Sequence, residues 1–76
     1  MRIERKEFAH PVQASRVRLN VFQQPDGFLV TEERIGTVTV VATLGFFDTA
    51  EAALARLRLR VEELERQRYA PVAPAA

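Results

Sequence analysis

The sequence contains no cysteine and no tryptophan. The missing cysteine excludes disulfides, thiolate catalysis and cysteine-based zinc sites, and it fits a reducing compartment. No apolar run approaches the ~18–20 residues that are needed to span a bilayer. The charged start, residues 1–7, leads into no apolar segment of the kind that signal peptides carry. We therefore expect a cytoplasmic protein without a membrane partner.

Groups suited to catalysis are also scarce. His10 is the only histidine, and it lies in a predicted loop beside Pro11. A general base needs an orienting partner and a pocket, and the pattern indicates neither. Asp26 is accounted for by a turn and Asp48 by a helix cap. With 76 residues there is also little volume for a substrate cleft, so we expect no enzyme, no cofactor, no metal site and no small-molecule substrate.

The charge is nearly balanced. Eleven Lys and Arg residues against ten Asp and Glu give a formal net charge of +1, whereas strong nucleic-acid binders usually carry a basic excess. Lys6 is the only lysine, and the arginines that make up the rest suit bidentate contacts to phosphate or to carboxylate. An arginine-rich composition can also simply reflect a GC-rich genome.

Two runs predict a β-hairpin. Apolar and polar residues alternate over Ser15–Gln23, which is the period of a half-buried strand, although Phe22 falls on the polar side. Proline, aspartate and glycine in Gln24–Gly27 are typical turn residues. Phe28–Arg34 is then predicted to return as the second strand, after a loop of about four residues.

Thr37–Leu44 is dense in β-branched residues and predicts the strongest strand. One of its faces is apolar and the other is mostly threonine, so we expect the apolar face to pack beneath a helix and the other face to meet water. We read Gly45–Phe46 as a connector. The face that is expected to pack comprises Val38, Val40, Ala42 and Leu44.

A single helix is predicted over Thr49–Arg68. Asp48 and Glu51 have the spacing of a capping box. We expect Phe47 to pack back on the first turns, and Tyr69 to close over an edge of the sheet. The apolar stripe recurs at intervals of three and four residues and comprises Ala50, Ala53, Leu54, Leu57, Val61 and Leu64.

Together these elements predict an α+β fold, a small antiparallel sheet of three to five strands covered on one face by a single C-terminal helix. Residues 1–14 are expected to form an N-terminal arm, in which Ile3–Phe8 could make a short strand. The folded domain is predicted over residues 15–69, and residues 70–76 form an Ala/Pro tail that we expect to be flexible.

Three segments occur in an order that is informative: Arg34–Gly36 before the strongest strand, Phe47–Ala53 at the helix start, and Tyr69–Val72 at the helix exit. In this order and spacing the chain resembles the WGR domain, a small module named for a Trp-Gly-Arg motif. The likeness covers about Arg16–Val72 and is closest to degenerate bacterial members. It implies an antiparallel sheet packed by one helix, and association with nucleic acid or with another protein domain.

The chain departs from that family pattern at the motif itself. Glu32 stands at the Trp position and Glu33 at the Gly position, so only Arg34 matches. A glutamate cannot stack on a base as tryptophan does, and two carboxylates repel a phosphate. In addition, Arg68 stands where the family has a glycine before the final tyrosine.

Two functions remain open from the residues and the resemblance. The first is a non-catalytic module for protein–protein contacts or self-association, with contact residues among the apolar side chains left outside the core pattern: Phe22, Phe46 and Leu59. The alternative is a module that binds DNA ends or nicks through Arg34, Arg56 and Arg60.

Overall fold

The computed structural model describes residues 1–72, which form one antiparallel sheet and one helix. The five strands lie in the order β4-β3-β2-β1-β5, and the helix packs over β2, β3 and β4. The predicted α+β fold is confirmed. The elements in chain order are β1 Arg2–Ala9, β2 Arg16–Gln24, β3 Gly27–Ile35, β4 Val40–Phe47, α1 Ala50–Arg66 and β5 Ala70–Pro71.

The β2–β3 hairpin is tighter than expected. Gln24 lies opposite Gly27, so only Pro25 and Asp26 form the loop. Gly27 has a φ of 158°, and a Cβ at this position would lie 2.7 Å from the ring of Phe46. Glycine is therefore required here, because only a bare backbone lets this aromatic ring lie against the turn.

The core lies between the sheet and α1. As predicted, one face of β2 is buried and packs against the helix stripe, of which the most buried members are Ala53, Leu57 and Leu64. Phe47 packs against the same core, as expected. The buried residues that the sheet and the helix exit contribute are Phe8, Val17, Leu19, Val21, Val30 and Tyr69.

The N-cap of α1 is Thr49, so the prediction of a capping box on Asp48 is wrong. Thr49 has an extended backbone, and its hydroxyl accepts a hydrogen bond from the N–H of Ala52 at 3.2 Å. The third helical residue is then Ala52 rather than Glu51, and an alanine cannot reach back to the cap as a glutamate does.

At the other end of α1, the chain turns through a left-handed residue. Arg68 has a φ of 73°, a conformation that favours glycine. The turn lets the N–H of Tyr69 bond the carbonyl of Leu64 at 3.0 Å. It also directs the Tyr69 side chain into the core and the following residues toward β1.

Both ends of the described chain belong to the sheet. The short strand that the sequence allowed over Ile3–Phe8 is present as β1, which pairs with β2 from Arg2 to Ala9, so this part of the expected N-terminal arm belongs to the sheet. The alternation of apolar and polar residues is not visible in β1, because charged residues lie on both of its faces. Glu4 and Lys6 lie on the same face as the buried Phe8. The predicted tail begins with β5, which pairs with Phe8 and Ala9; the rest of that prediction, residues 73–76, lies outside the described residues.

β4 runs from Val40 to Phe47, three residues later than predicted at each end. Gly45–Phe46 is therefore part of the strand and not a connector, and a bulge interrupts its pairing with β3 near Leu44. Val38, Val40 and Ala42 are exposed rather than packed. The reason is the path of α1, which begins just after β4 and ends just before β5 at the opposite edge, so that it crosses the sheet away from the start of β4.

Candidate interaction surfaces

A buried carboxylate lies between the sheet and the helix. Glu32 of β3 is only 6% exposed. Arg60 of α1, 12% exposed, donates from Nε to Oε1 of Glu32 and from Nη2 to Oε2, the latter at 3.2 Å. Arg34 donates from Nε to Oε2 at 3.1 Å. Both oxygens of the carboxylate are thus satisfied by charged donors.

These contacts change how Glu32 titrates. Burial alone would raise its pKa, but the hydrogen bonds and charge of Arg60, and then of Arg34, outweigh burial and hold the pKa below its ordinary value. The pKa of Arg60 is raised, chiefly by the hydrogen bond to Glu32 and against the effect of burial. The pair is therefore charged in the folded state at neutral pH.

The three arginines proposed from the sequence for nucleic acid lie together around carboxylates. Arg34 and Arg60 share Glu32, while Arg56 lies 3.9 Å from Glu63, which is also 3.7 Å from Arg60. Sequence reasoning missed the contact between Glu32 and Arg60, which is 28 residues away. The signal in the sequence was Glu32, an acidic residue in the middle of a predicted strand. In the sheet it lies opposite the buried Leu19 of β2.

The sheet face opposite α1 carries a polar network. Asn20, which is fully buried, donates to Glu33 Oε1 at 2.8 Å and accepts from Arg5 Nε at 3.1 Å. Arg18 bridges Glu7 and Glu33 at 3.1 and 3.5 Å. The long arginine side chains cover Asn20, which is why a residue on the polar side of a strand is buried without a helix above it.

Beside this network lies an apolar row of Phe22, Leu29 and Phe46. The three residues are directly opposite one another on β2, β3 and β4, and Phe46 is 44% exposed. The structure therefore brings together two of the predicted contact residues, Phe22 and Phe46. It places the third, Leu59, on the outer side of α1, where it is 56% exposed and separated from the row by the thickness of the domain.

The outer edge of β4 is uncharged and exposed. From Ile35 to Phe47, thirteen consecutive residues carry no charge and no proline. Val41 is 62% exposed. Among residues 1–72, no strand pairs with the outer edge of β4. Sequence reasoning missed this surface because it predicted that one face of the strand packs beneath the helix.

Hydrogen-bond alternation shows which main-chain groups of β4 point outward. The N–H of Gln23 donates to the carbonyl of Met1 at 2.6 Å, so the main-chain N–H and C=O of Gln23 point toward the β1 side of β2. Main-chain groups alternate sides along an antiparallel strand. The register from β2 through β3 to β4 extends this alternation. The main chain of Glu33 bonds β2, so the N–H and C=O of Val41, the partner of Glu33 on β4, point away from the sheet.

The opposite edge, on β1, is different in chemistry. Four of the five residues Arg2–Lys6 are charged. Nearer its end, β1 is covered by β5, and the carbonyl of Glu7 accepts from Val72 at 2.8 Å. An open groove of about 960 Å³ follows this edge, and its charged lining is mixed in sign. The four basic and two acidic residues that line it are Arg2, Arg5, Lys6, Arg16, Glu4 and Glu7.

His10 has a structural position in the β1–β2 loop. Its Nδ1 accepts hydrogen bonds from the N–H groups of Val12 and Gln13, both at 3.1 Å. Its ring meets the ring of Tyr69 edge to face, with 5.2 Å between centroids. The hydroxyl of Tyr69 in turn donates to the Gln13 side chain at 3.4 Å. These contacts tie the loop to the helix exit.

Within residues 1–72, no group of three or more histidine, aspartate and glutamate side chains is arranged to hold a metal ion. No helix in that part of the chain is long and apolar enough to cross a membrane. The chain matches no protein-family model, no curated protein and no solved structure. The two edges and two faces of the sheet are thus the features from which a function is inferred.

Proposed function

We propose that this protein is a non-catalytic, WGR-like interaction module that makes protein–protein contacts through the β4 side of its sheet. The observation that carries the proposal is the exposed, uncharged edge strand β4. Native proteins usually protect such edges with charges, prolines or a covering segment. An edge that stays bare and apolar is typical of a surface that meets another protein.

The helix exit supports the WGR-like part of the proposal. The family has a glycine at the position of Arg68, and Arg68 adopts the left-handed backbone that glycine prefers. Tyr69, which the family also carries, is buried directly after this turn. The agreement concerns backbone geometry and is independent of the altered Glu32-Glu33 motif.

The arginine contacts favour protein over nucleic acid. Arg34, Arg56 and Arg60 each have a carboxylate partner. A phosphate would have to displace Glu32 from Arg60, and this would leave the buried carboxylate with one of its three hydrogen bonds. By contrast, Phe46 and Val41 are exposed and already suited to an apolar contact.

Sedimentation equilibrium tests the proposal with two matched variants, Phe46→Glu and Leu59→Glu. Both place a carboxylate at an exposed apolar position, on opposite sides of the domain. Between about 10 µM and about 1 mM, where weak contacts form, we expect the mass of the wild type to rise with concentration. Phe46→Glu should remove the rise and Leu59→Glu should keep it. A monomer throughout this range would contradict self-association, and the partner would then have to be a different protein.

The nucleic-acid alternative has its own test. Fluorescence anisotropy with a 5′-phosphorylated duplex at low salt should show no binding that depends on Arg34. A titration whose affinity falls steeply as salt rises, and which Arg34→Ala abolishes, would instead support DNA binding.

A further inference from the structure

We propose that the partner of β4 is a second copy of this chain, paired antiparallel along its own β4 so that one sheet runs through both copies. This inference rests on the proposed function and identifies its partner and its contact geometry.

The main chain of β4 has groups that are free to pair with another strand. Val41 points its N–H and C=O away from the sheet, and Val40–Thr43 pairs with β3 without interruption before the bulge. An incoming strand can therefore find both a donor and an acceptor at Val41. Pairing these groups with another strand satisfies them as the interior of the sheet does.

The charge of the two edges also favours self-pairing of β4. A strand that pairs antiparallel with its own copy brings each residue against a residue of the same segment. Charged segments are disfavoured for this, because like charges directly opposite destabilise a pair. The uncharged run Ile35–Phe47 brings no charges together. The β1 edge would place Arg2, Arg5 and Lys6 near one another in several registers.

Self-pairing of β4 gives a closed assembly. Antiparallel pairing of β4 with its own copy has two-fold symmetry, so both contact edges are used and the assembly stops at a dimer. Pairing β4 with the β1 edge of the next copy would not close, and it would set charged side chains beside Val40 and Val41. The self-paired dimer closes and also keeps charged side chains away from Val40 and Val41. One strand pair lies at the small end of interface sizes, so we expect a dissociation constant on the order of 10 µM.

Proline substitution tests the edge directly. Val41→Pro removes the outward N–H and leaves the bonds between β3 and β4, since proline is tolerated on edge strands whose N–H faces solvent. Arg5→Pro is the control on the β1 edge: Arg5 is two residues before Glu7, whose carbonyl bonds Val72, so its main chain also points outward. Because Arg5→Pro also removes the hydrogen bond from Arg5 Nε to Asn20, Arg5→Ala is measured beside it. Circular dichroism checks that both variants fold.

We expect Val41→Pro to weaken dimerisation at least 100-fold and Arg5→Pro to leave it within about threefold, since only the former removes a contact between copies. Should Val41→Pro fold and still dimerise like the wild type, β4 would not be the interface, although self-association would stand. A wild type that is monomeric at all concentrations would overturn this inference, and the proposed function would then stand only for a different protein as partner.

A cysteine scan gives the geometry without depending on proline. The natural chain has no cysteine. A single cysteine introduced at any position from Val38 to Thr43 can therefore form a disulfide only with the same cysteine of the second copy. In an antiparallel self-pair only a residue at the two-fold axis lies opposite its own copy. A residue two positions away is separated from its copy by about 14 Å, beyond the reach of a disulfide.

Mild oxidation should therefore cross-link one or two adjacent positions within Val40–Thr43 and none further out. Cross-linking at every position would indicate a parallel pair and contradict the inference. A dimer with no cross-link at any β4 position would also contradict it, and would point to another surface or to a foreign strand as the occupant of β4.

Discussion

The two edges of the sheet differ in how they meet solvent. The β1 edge is charged in four of the five residues Arg2–Lys6 and is partly covered by β5. All eight residues of β4 are uncharged, and no strand among residues 1–72 covers the outer side of β4. Both edges belong to one small domain, so the contrast is a property of the edges and not of the protein as a whole.

The contrast indicates what each edge is suited to do. Charged side chains on an edge strand disfavour pairing with other strands, and β1 has this protection. β4 lacks it and has only the bulge near Leu44. The two sides are also held differently, since α1 anchors the β4 side through Glu32 and Arg60, whereas Tyr69 and β5 close the β1 side.

The largest predicted effect concerns the anchor on the β4 side. Arg60→Ala leaves Glu32 buried with only Arg34 as partner, so we expect a loss of about 3 kcal/mol in the free energy of unfolding. Arg56→Ala, on the same helix flank with a longer and more exposed contact, should cost less than about 1 kcal/mol. Urea denaturation of both variants measures the difference, and equal losses would contradict the assigned role of Glu32.

The second prediction transfers the chemistry of the β1 edge to β4. Val41→Lys places a charge where two copies would meet, and we expect dimer affinity to fall about 100-fold, or about 2.7 kcal/mol. Light scattering over a concentration series measures it. The fold should be unaffected because the side chain is exposed. Unchanged affinity would show that charge at this edge does not matter.

The third prediction concerns pH. The folded-state pKa of Glu32 lies below its ordinary value, so folding binds fewer protons there. The stabilisation is then fully present above the ordinary pKa of glutamate and is lost as pH falls through the lower folded-state value. We expect wild type to exceed Glu32→Gln in stability by about 1–2 kcal/mol at pH 7 and the gap to close in acid. Thermal melts from pH 7 to about pH 3 check this, and a gap independent of pH would contradict it.

The fourth prediction concerns the turn that leads to β5 on the β1 side. Arg68→Gly removes the strain of a left-handed backbone at a residue with a side chain, although glycine also makes the unfolded chain more flexible. We expect the free energy of unfolding to rise by about 0.5–1 kcal/mol. Dimer affinity should not change, since the turn serves the other edge. A loss of stability would mean that the Arg68 side chain has a role of its own.

The smallest predicted effect belongs to the outer face of α1. Leu59→Glu changes an exposed residue away from both edges, so stability should stay within about 0.5 kcal/mol of the wild type. Its association constant should also be unchanged. A marked loss of association would transfer the contact surface from β4 to the helix.

Much of the fold could be predicted from periodicity. The stripe through Leu57 and Leu64 and the alternation through Val17 and Leu19 each place one face in the core, and both predictions are confirmed. The ends of elements were harder. Asp48 and Thr49 are both good N-cap residues, and only the observed backbone decides that Thr49 is the cap.

The misplaced bounds of β1 and β4 have a common physical cause. Alternation predicts a strand only when one of its faces is buried, and α1 covers little of β1 and leaves the start of β4 exposed. In β1 charges fall on both faces, and in β4 valines such as Val40 and Val41 are exposed on both. A sequence therefore indicates that these segments are extended, while their place in the sheet depends on where the helix crosses.

The site could be predicted only in part. Phe22 and Phe46 stood out because they broke the core pattern, and the structure places them in one row. The pairing of Glu32 with Arg60 and the outward direction of Val41 depend on register between distant segments. A single sequence does not contain that information.

Amide hydrogen exchange followed by NMR tests the central contrast most directly, because it compares one main-chain group on each edge. The N–H groups of Val41 and Arg5 both point away from the sheet. We predict that exchange at Val41 slows as protein concentration rises through the dimer range, while exchange at Arg5 stays the same. Exchange at Val41 that does not change with concentration would show that β4 has no partner strand and would contradict the account.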